Sequence, residues 1–269
     1  MTGDFAVLKR RYDFADLRPH LVANGVAATI VVQVRADLAE TVDLLELASR
    51  TAEVVGVVGW VDLTSSDVAG QLDLLRSGVG GEHLVGVRHG AADEPDPDWL
   101  VRDDVDAGMR QVAASGLTFD LEITARELPG AGVLVRRHAD VRFVVDHGAK
   151  PPVATGWCQA WADGIAALAA NPNVWCKLSG LVTEASWNSW TVADLRPYVD
   201  HLLAVFGASR LIFGSDWPVC ELAASYGKAM AAATETLAIL DPADREKIMY
   251  GNALHVYRPP GIEQGEDRS

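Results

Sequence analysis

Seven short apolar runs, most of them rich in β-branched residues, recur along this chain with amphipathic stretches between them. They are residues 29–34 (TIVVQV), 54–63 (VVGVVGWVDL), 84–90 (LVGVRHG), 118–123 (TFDLEI), 142–148 (RFVVDHG), 173–180 (NVWCKLSG) and 211–218 (LIFGSDWP). Continuous apolarity over so few residues is the pattern of strands buried on both faces. The intervening pattern is helical. Leu38, Thr41, Val42, Leu45 and Ala48 share one face at three- and four-residue spacing. Trp161, Ile165, Leu168 and Ala169 do the same before the sixth run, where Asn171 and Pro172 stop the helix. Leu195, Val199, Leu202, Leu203 and Phe206 repeat it before the seventh.

Strand–helix alternation makes a parallel sheet, which either closes into a barrel or opens into a doubly wound fold. The nucleotide fingerprints GxGxxG and GxxxxGK[ST] are absent, and polar residues end several different strands. Both observations favour an α/β barrel, whose active site collects from many strand C-termini. The predicted count is seven, where a (β/α)8 barrel needs eight.

Composition narrows the function classes. A length of 269 residues suits one barrel domain, read here as residues 1–258 followed by a polar tail at 259–269. With 49% hydrophobic and 22% charged residues the chain can bury a core, which excludes disorder as its main state. The balance of 23 basic against 37 acidic residues gives a net charge of −14. Such a surface repels nucleic-acid phosphates and anionic membranes, leaving a small molecule as the expected partner. No apolar run approaches the roughly 18 residues of a membrane span, and the first residues lack the form of a signal peptide. Cys158, Cys176 and Cys220 form no CxxC pair. A reducing cytoplasm fits, and Cys176 and Cys220 read as small apolar residues.

If all seven strands are parallel, their C-terminal ends share one rim. It carries Trp60 and Asp62, Arg88 and His89, Glu122, His147 and Lys150, Lys177 and Ser179, and Asp216 with Trp217. Asp216 is ionised at neutral pH and can take a proton from water or ligate a metal; a helix-capping role is the alternative. His147 ends an apolar strand, whereas His20, His83, His138, His201 and His255 read as helix or surface residues. Asp146 is expected on the opposite side of the strand from His147 if alternation continues. Arg88 offers a donor fork for a carboxylate or hydroxyls, or a rim salt bridge, with His89 beside it. Lys177, inside an apolar strand, must find a partner or line a cavity. Trp60 and Trp217 could stack on a sugar ring.

Several segments resemble the amidohydrolase-related family, in its sugar-lactonase branch: VVGWVDL (57–63), GVRHG (86–90), VVDHGAKP (144–151), NVWCKLSGL (173–181), LIFGSDWPVC (211–220) and GNALHVY (251–257). They occur in order over nearly the whole chain, and the combination of GSDWP, DHxxKP and KLSG is specific. The resemblance implies a distorted (β/α)8 barrel of the metal-dependent hydrolase type and opening of a lactone by activated water. It implies Asp216 as acid/base, His147 as the histidine of the DHxxKP strand, and Arg88 and Lys177 in the substrate site. Metal use varies in this branch, and zinc is the metal it implies.

The resemblance departs at the N-terminus. Family members begin with a strand ending in His-x-His, and no such motif occurs here. The first strand is therefore expected to be missing, either because the true start lies upstream or because the motif was lost. Phe5–Leu8 (FAVL) is the segment that could substitute for it. With His147 and Asp216 as the only evident ligands, zinc would have two protein ligands rather than the usual three, so metal binding is expected to be weak or absent. Two open sheet edges predict poor solubility or homo-oligomers. Lactone isomerisation, decarboxylation and a non-catalytic sugar-acid-binding barrel stand as alternatives to hydrolysis.

Overall fold

The computed structural model describes residues 5–262. Seven parallel strands form one sheet in sequence order: β1 (Thr29–Val32), β2 (Val54–Gly59), β3 (Leu84–Gly90), β4 (Thr118–Glu122), β5 (Phe143–Val145), β6 (Val174–Leu178) and β7 (Leu211–Phe213). Among the described residues β1 pairs with β2 alone and β7 with β6 alone. The helices are α1 (Phe14–Ala23), α2 (Leu38–Ser49), α3 (Val68–Ser77), α4 (Asp103–Ser115), α5 (Leu128–Arg137), α6 (Gln159–Ala169), α7 (Leu181–Glu184), α8 (Val192–Phe206), α9 (Tyr226–Thr236), α10 (Pro242–Glu246) and α11 (Asn252–Tyr257). Several start on side-chain caps. Asp13 accepts from the Ala15 and Asp16 amides, Asp37 from Ala39, and Ser225 from Lys228.

Alternation along the strands divides the core in two. Outward residues such as Val57, Phe119, Phe143, Cys176 and Leu211 pack with the amphipathic helix faces in one large cluster. Inward residues Val58, Val85, Val144 and Ile212 meet Val256 and Tyr257 of α11 in a second cluster. Val58 and Val144 are fully buried there, each contributing roughly 1.5–3 kcal/mol. The segment GNALHVY thus closes the N-terminal end of the barrel. Val256 O accepts from Thr118 Oγ1 at 3.0 Å and from Arg142 Nε at 2.9 Å. Asn252 Nδ2 reaches the carbonyls of Ala208 and Leu211, both at 2.7 Å, and so holds the start of β7.

All strands but β3, which fills its run, are shorter than the apolar runs predict, because the chain turns before those runs end. After β2 the Trp60 amide donates to Thr41 Oγ1 at 2.8 Å instead of continuing the ladder. After β5, His147 has φ 52°, and after β7, Asp216 has φ 55°. Phe5–Leu8 is not a substitute strand. It forms one 3₁₀ turn, lying by the loops that follow β6 and β7 rather than along a sheet edge. Phe5 packs edge-on against Trp187, and Tyr12 Oη lies 2.8 Å from both the Val7 carbonyl and Glu221 Oε2. These contacts fix it as a turn on the rim, with Phe5 and Val7 left exposed.

Candidate active site

The ladder register sets charged residues inside the barrel. Arg88 lies opposite Asp120 and Gly90 opposite Glu122 across β3 and β4, so the inward positions of β4 run Thr118, Asp120, Glu122. Above the apolar floor, Lys177 Nζ meets Asp120 Oδ2 and Asp146 Oδ1, each at 2.6 Å. Arg88 Nη1 meets Asp146 Oδ2 at 2.9 Å. From below, the Tyr257 hydroxyl donates to Asp120 at 2.8 Å. Two carboxylates and two cations thus form a closed, balanced layer.

Titration follows from this layout. Burial, only partly opposed by Lys177, pushes Asp120 up to about 6. Burial would raise Asp146 as well, but Lys177 and Arg88 outweigh it and hold that carboxyl below the usual carboxylate range. For Lys177, burial is outweighed by Asp120 and Asp146, so its ammonium is held more firmly than an ordinary lysine's.

Nearer the rim the groups are more open. Lys150 Nζ meets Glu122 Oε1 at 2.9 Å, and Arg88 Nη1 lies 3.6 Å from Glu122 Oε2. His147 Nε2 lies 3.7 Å from Asp216 Oδ1, while its Nδ1 is 2.8 Å from Ser179 Oγ. Burial raises the Asp216 carboxyl, against the opposing pull of His147. Glu184, at the end of α7, is likewise raised by burial, with Lys150 and His147 opposing.

Of the five non-glycine residues with positive φ among the described residues, His147, Ala149, Lys150 and Asp216 lie on two rim loops. Left-handed backbone costs free energy for such residues and persists where surrounding contacts hold it, which is common at functional sites. Gly180, at φ 66°, lets the β6 loop approach His147: a Cβ there would stand 2.8 Å from His147 Nδ1.

The predicted residues separate into groups. His147 and Asp216 come together, and Arg88 lies one ion pair away through Asp146, which itself contacts Lys177. Asp146 does not point away from the site. It lies just past the end of β5, buried in the inner layer on the same side as Val144, and the left-handed turn at His147 brings the histidine to that side too. Lys177 is pinned between two carboxylates. His89 has both ring nitrogens engaged, accepting from Trp60 Nε1 at 3.2 Å and meeting Glu94 Oε1 at 2.8 Å, and it stacks on Trp99 at 4.0 Å. Trp217 packs edge-on against Tyr12 and donates to Glu221 at 2.9 Å. Asp62 anchors its own loop, accepting from Thr64 Oγ1 at 2.7 Å.

Sequence reasoning missed Asp120, Tyr257, Glu184 and Gln33. Asp120 and Gln33 carried the same signal as Lys177, a polar residue inside an apolar run. Tyr257 and Glu184 carried none. Cys176 and Cys220 are buried, and burial pushes both thiols up, Cys220 to about 12, so they are inert apolar fillers. Cys158 is half-buried. Among the described residues, no group of three or more His, Cys, Asp and Glu side chains is arranged to hold a metal ion.

Known proteins match this arrangement over most of its length. The amidohydrolase family model matches residues 2–258. An L-fucono-1,5-lactonase of Burkholderia ambifaria is 41% identical over 247 residues, covering 90% of this chain and 84% of the relative. An L-fucono-1,5-lactonase of Burkholderia multivorans is 39% identical, covering 94% and 88%. The crystal structure of a Burkholderia multivorans amidohydrolase with bound zinc superposes with a TM-score of 0.90 at 36% identity, over 95% of this chain and 91% of that one. The strand order, the inward-facing charges and these similarities agree, and the chain belongs to the amidohydrolase family.

Proposed function

We propose that this protein hydrolyses an aldono-1,5-lactone, with Asp216 as general base and His147 as its partner. The observation that carries the reading is the approach of His147 Nε2 to Asp216 Oδ1, 3.7 Å, at the rim above a closed charge layer. The substrate class follows the names of the two Burkholderia relatives.

Asp216 takes a proton from water, and the resulting hydroxide attacks the lactone carbonyl carbon. The tetrahedral oxyanion forms at the rim, where the Lys150 ammonium and the His147 imidazole face it. Preorganised charge of this kind is commonly the largest catalytic contribution, because it needs no reorganisation as the oxyanion develops. The ring C–O bond then breaks, and the departing alkoxide recovers the proton from Asp216. The net change is water added across one ester bond. Burial makes Asp216 a stronger base than an ordinary carboxylate.

A metal is implied by the zinc-bound relative. A catalytic zinc normally takes three protein ligands. His147 and Asp216 supply two, and His147 Nδ1 is engaged by Ser179. The described residues do not fit a zinc site, so no step above is routed through one. Elemental analysis of purified protein measures this directly, with less than stoichiometric zinc as the expected result. The reading further takes residues 1–258 as one catalytic domain acting in the cytoplasm on a small molecule, away from nucleic acid and membranes; no helix among the described residues is long and apolar enough to cross a membrane. Self-association is a further part of the reading, supported by the free edges of β1 and β7.

The test is a panel of aldonolactones with product analysis. Free aldonic acid is the expected product. A lactone of shifted ring size would indicate isomerisation instead, and no turnover on any lactone would sink the hydrolase reading.

A further inference from the structure

Gln33 directly follows β1 and is only 3% exposed. Its Nε2 donates to the main-chain carbonyl of Arg88 at 3.2 Å, and its own main-chain carbonyl accepts from Arg88 Nη2. The two residues therefore clasp β1 to β3 across the end of β2, the strand that lies between them. Two polar atoms of this clasp have no partner among the described residues: Gln33 Oε1, an acceptor, and Arg88 Nε, a donor. Buried polar atoms are nearly always hydrogen-bonded, so orphans of opposite kind on two interlocked side chains call for a common explanation.

The chemistry of the orphans selects the group that would answer them. A carboxylate or carbonyl oxygen only accepts, and would satisfy Arg88 alone. An ammonium only donates, and would satisfy Gln33 alone. A hydroxyl does both, as does a water, and the experiment below separates the two. The clasp stands at the strand ends that carry Asp216 and His147, and Arg88 Nη1 also reaches Glu122, the partner of Lys150, so it is continuous with the rim. We propose that Gln33 and Arg88 Nε form a subsite that reads one hydroxyl of a polyhydroxylated substrate, with Gln33 determining specificity. This rests on the lactone reading given above and adds the group that selects among lactones. A site built to hydrogen-bond a hydroxyl rejects the analogue lacking it, because its own polar atoms are then left buried and unpaired.

The experiment compares wild type with Gln33→Met, which keeps the volume and removes the amide, on a fully hydroxylated 1,5-lactone and on its set of monodeoxy analogues. Gln33→Met is expected to lose roughly tenfold or more in kcat/KM on the full lactone. On one monodeoxy lactone, the one lacking the hydroxyl that is read, wild type and variant are expected to converge. An equal loss on every lactone overturns the proposal, since Gln33 would then only brace Arg88 or hold a structural water. If Gln33→Met fails to fold, Gln33→Glu keeps the acceptor that reads the hydroxyl, and its expected pattern is retained discrimination against the same monodeoxy lactone; discrimination lost overturns the proposal. If wild type turns over no lactone, the hydrolase reading fails separately, and calorimetric titration with the matching aldonic acids and their monodeoxy forms decides the subsite. A Gln33-dependent loss of affinity confined to one hydroxyl supports it. Binding indifferent to Gln33, or no binding, overturns it.

Discussion

The barrel interior holds two layers of charge built from the same residue types and finished in opposite ways. In the lower layer Asp120, Asp146, Lys177 and Arg88 are interlocked, and Tyr257 seals it from beneath. In the upper layer Asp216 has one ion-pair partner among the described residues, His147 at 3.7 Å, and its loop is held at positive φ. The lower layer holds its charges in place, and the upper layer keeps capacity for a proton and a ligand. Asp146, met by both Lys177 and Arg88, is held ionised, and Asp120, met by one cation, is pushed up by burial but stays sealed beneath, whereas a carboxylate paired loosely at a rim can exchange a proton with what enters. The lesson is that burial and charge alone do not distinguish the two layers; the completeness of their ion pairing does.

The comparison breaks most visibly at Asp216. Asp216→Asn is expected to lower kcat for lactone hydrolysis about 10³- to 10⁴-fold with little change in melting temperature. Unchanged activity would place the chemistry elsewhere. Next in size is Lys177→Met, which strands two buried carboxylates and is expected to cost about 3–5 kcal/mol in urea unfolding. A neutral result would mean that the lower layer is not closed.

The third test sharpens the division through pH. Asp120 has a folded-state pKa of about 6, above the ordinary 3.8. Between those values the native state binds more protons than the unfolded chain, so this group's contribution to stability falls as pH rises through the window and stays flat above it. Relative to Asp120→Asn, wild type is expected to gain stability as pH drops from 7 to 4, by no more than about 3 kcal/mol. Thermal melts of both proteins across that range check it, and a parallel pair of curves would remove Asp120 from the titrating set. The smallest effect is expected at Ser179→Ala, which frees His147 Nδ1 and should lower kcat/KM by about 2- to 12-fold.

Much of this was legible in the sequence, where an apolar run ended on an ionisable residue. That signal picked out Asp216 and His147, which meet at the rim, and Arg88, which lies in the layer beneath; the strand–helix alternation gave the seven parallel strands. It failed where the backbone left the strand. Asp146 and His147 share a side because period-two alternation, which holds through Asp146, lapses at the left-handed turn of His147. It also failed for partners remote along the chain: nothing in the sequence ties Tyr257 to Asp120, 137 residues away. Phe5–Leu8 has the composition of a strand, but its contacts are with rim loops, and composition cannot report contacts. Gln33 was passed over as one polar residue in an apolar strand, and only the clasp with Arg88 shows what it does.

The three thiols have a practical consequence. Cys176 on β6 and Cys220 in the loop after β7 are sealed from solvent with their thiols pushed up by burial, so they resist alkylation while the fold holds. That leaves Cys158, just before α6 and beside the exposed Trp157, as a single point of attachment in the native protein. A maleimide dye placed there without mutagenesis would sit on the loop that follows β5, next to an indole able to quench it. Its emission would then report, in real time, any movement of that loop as a ligand enters the barrel.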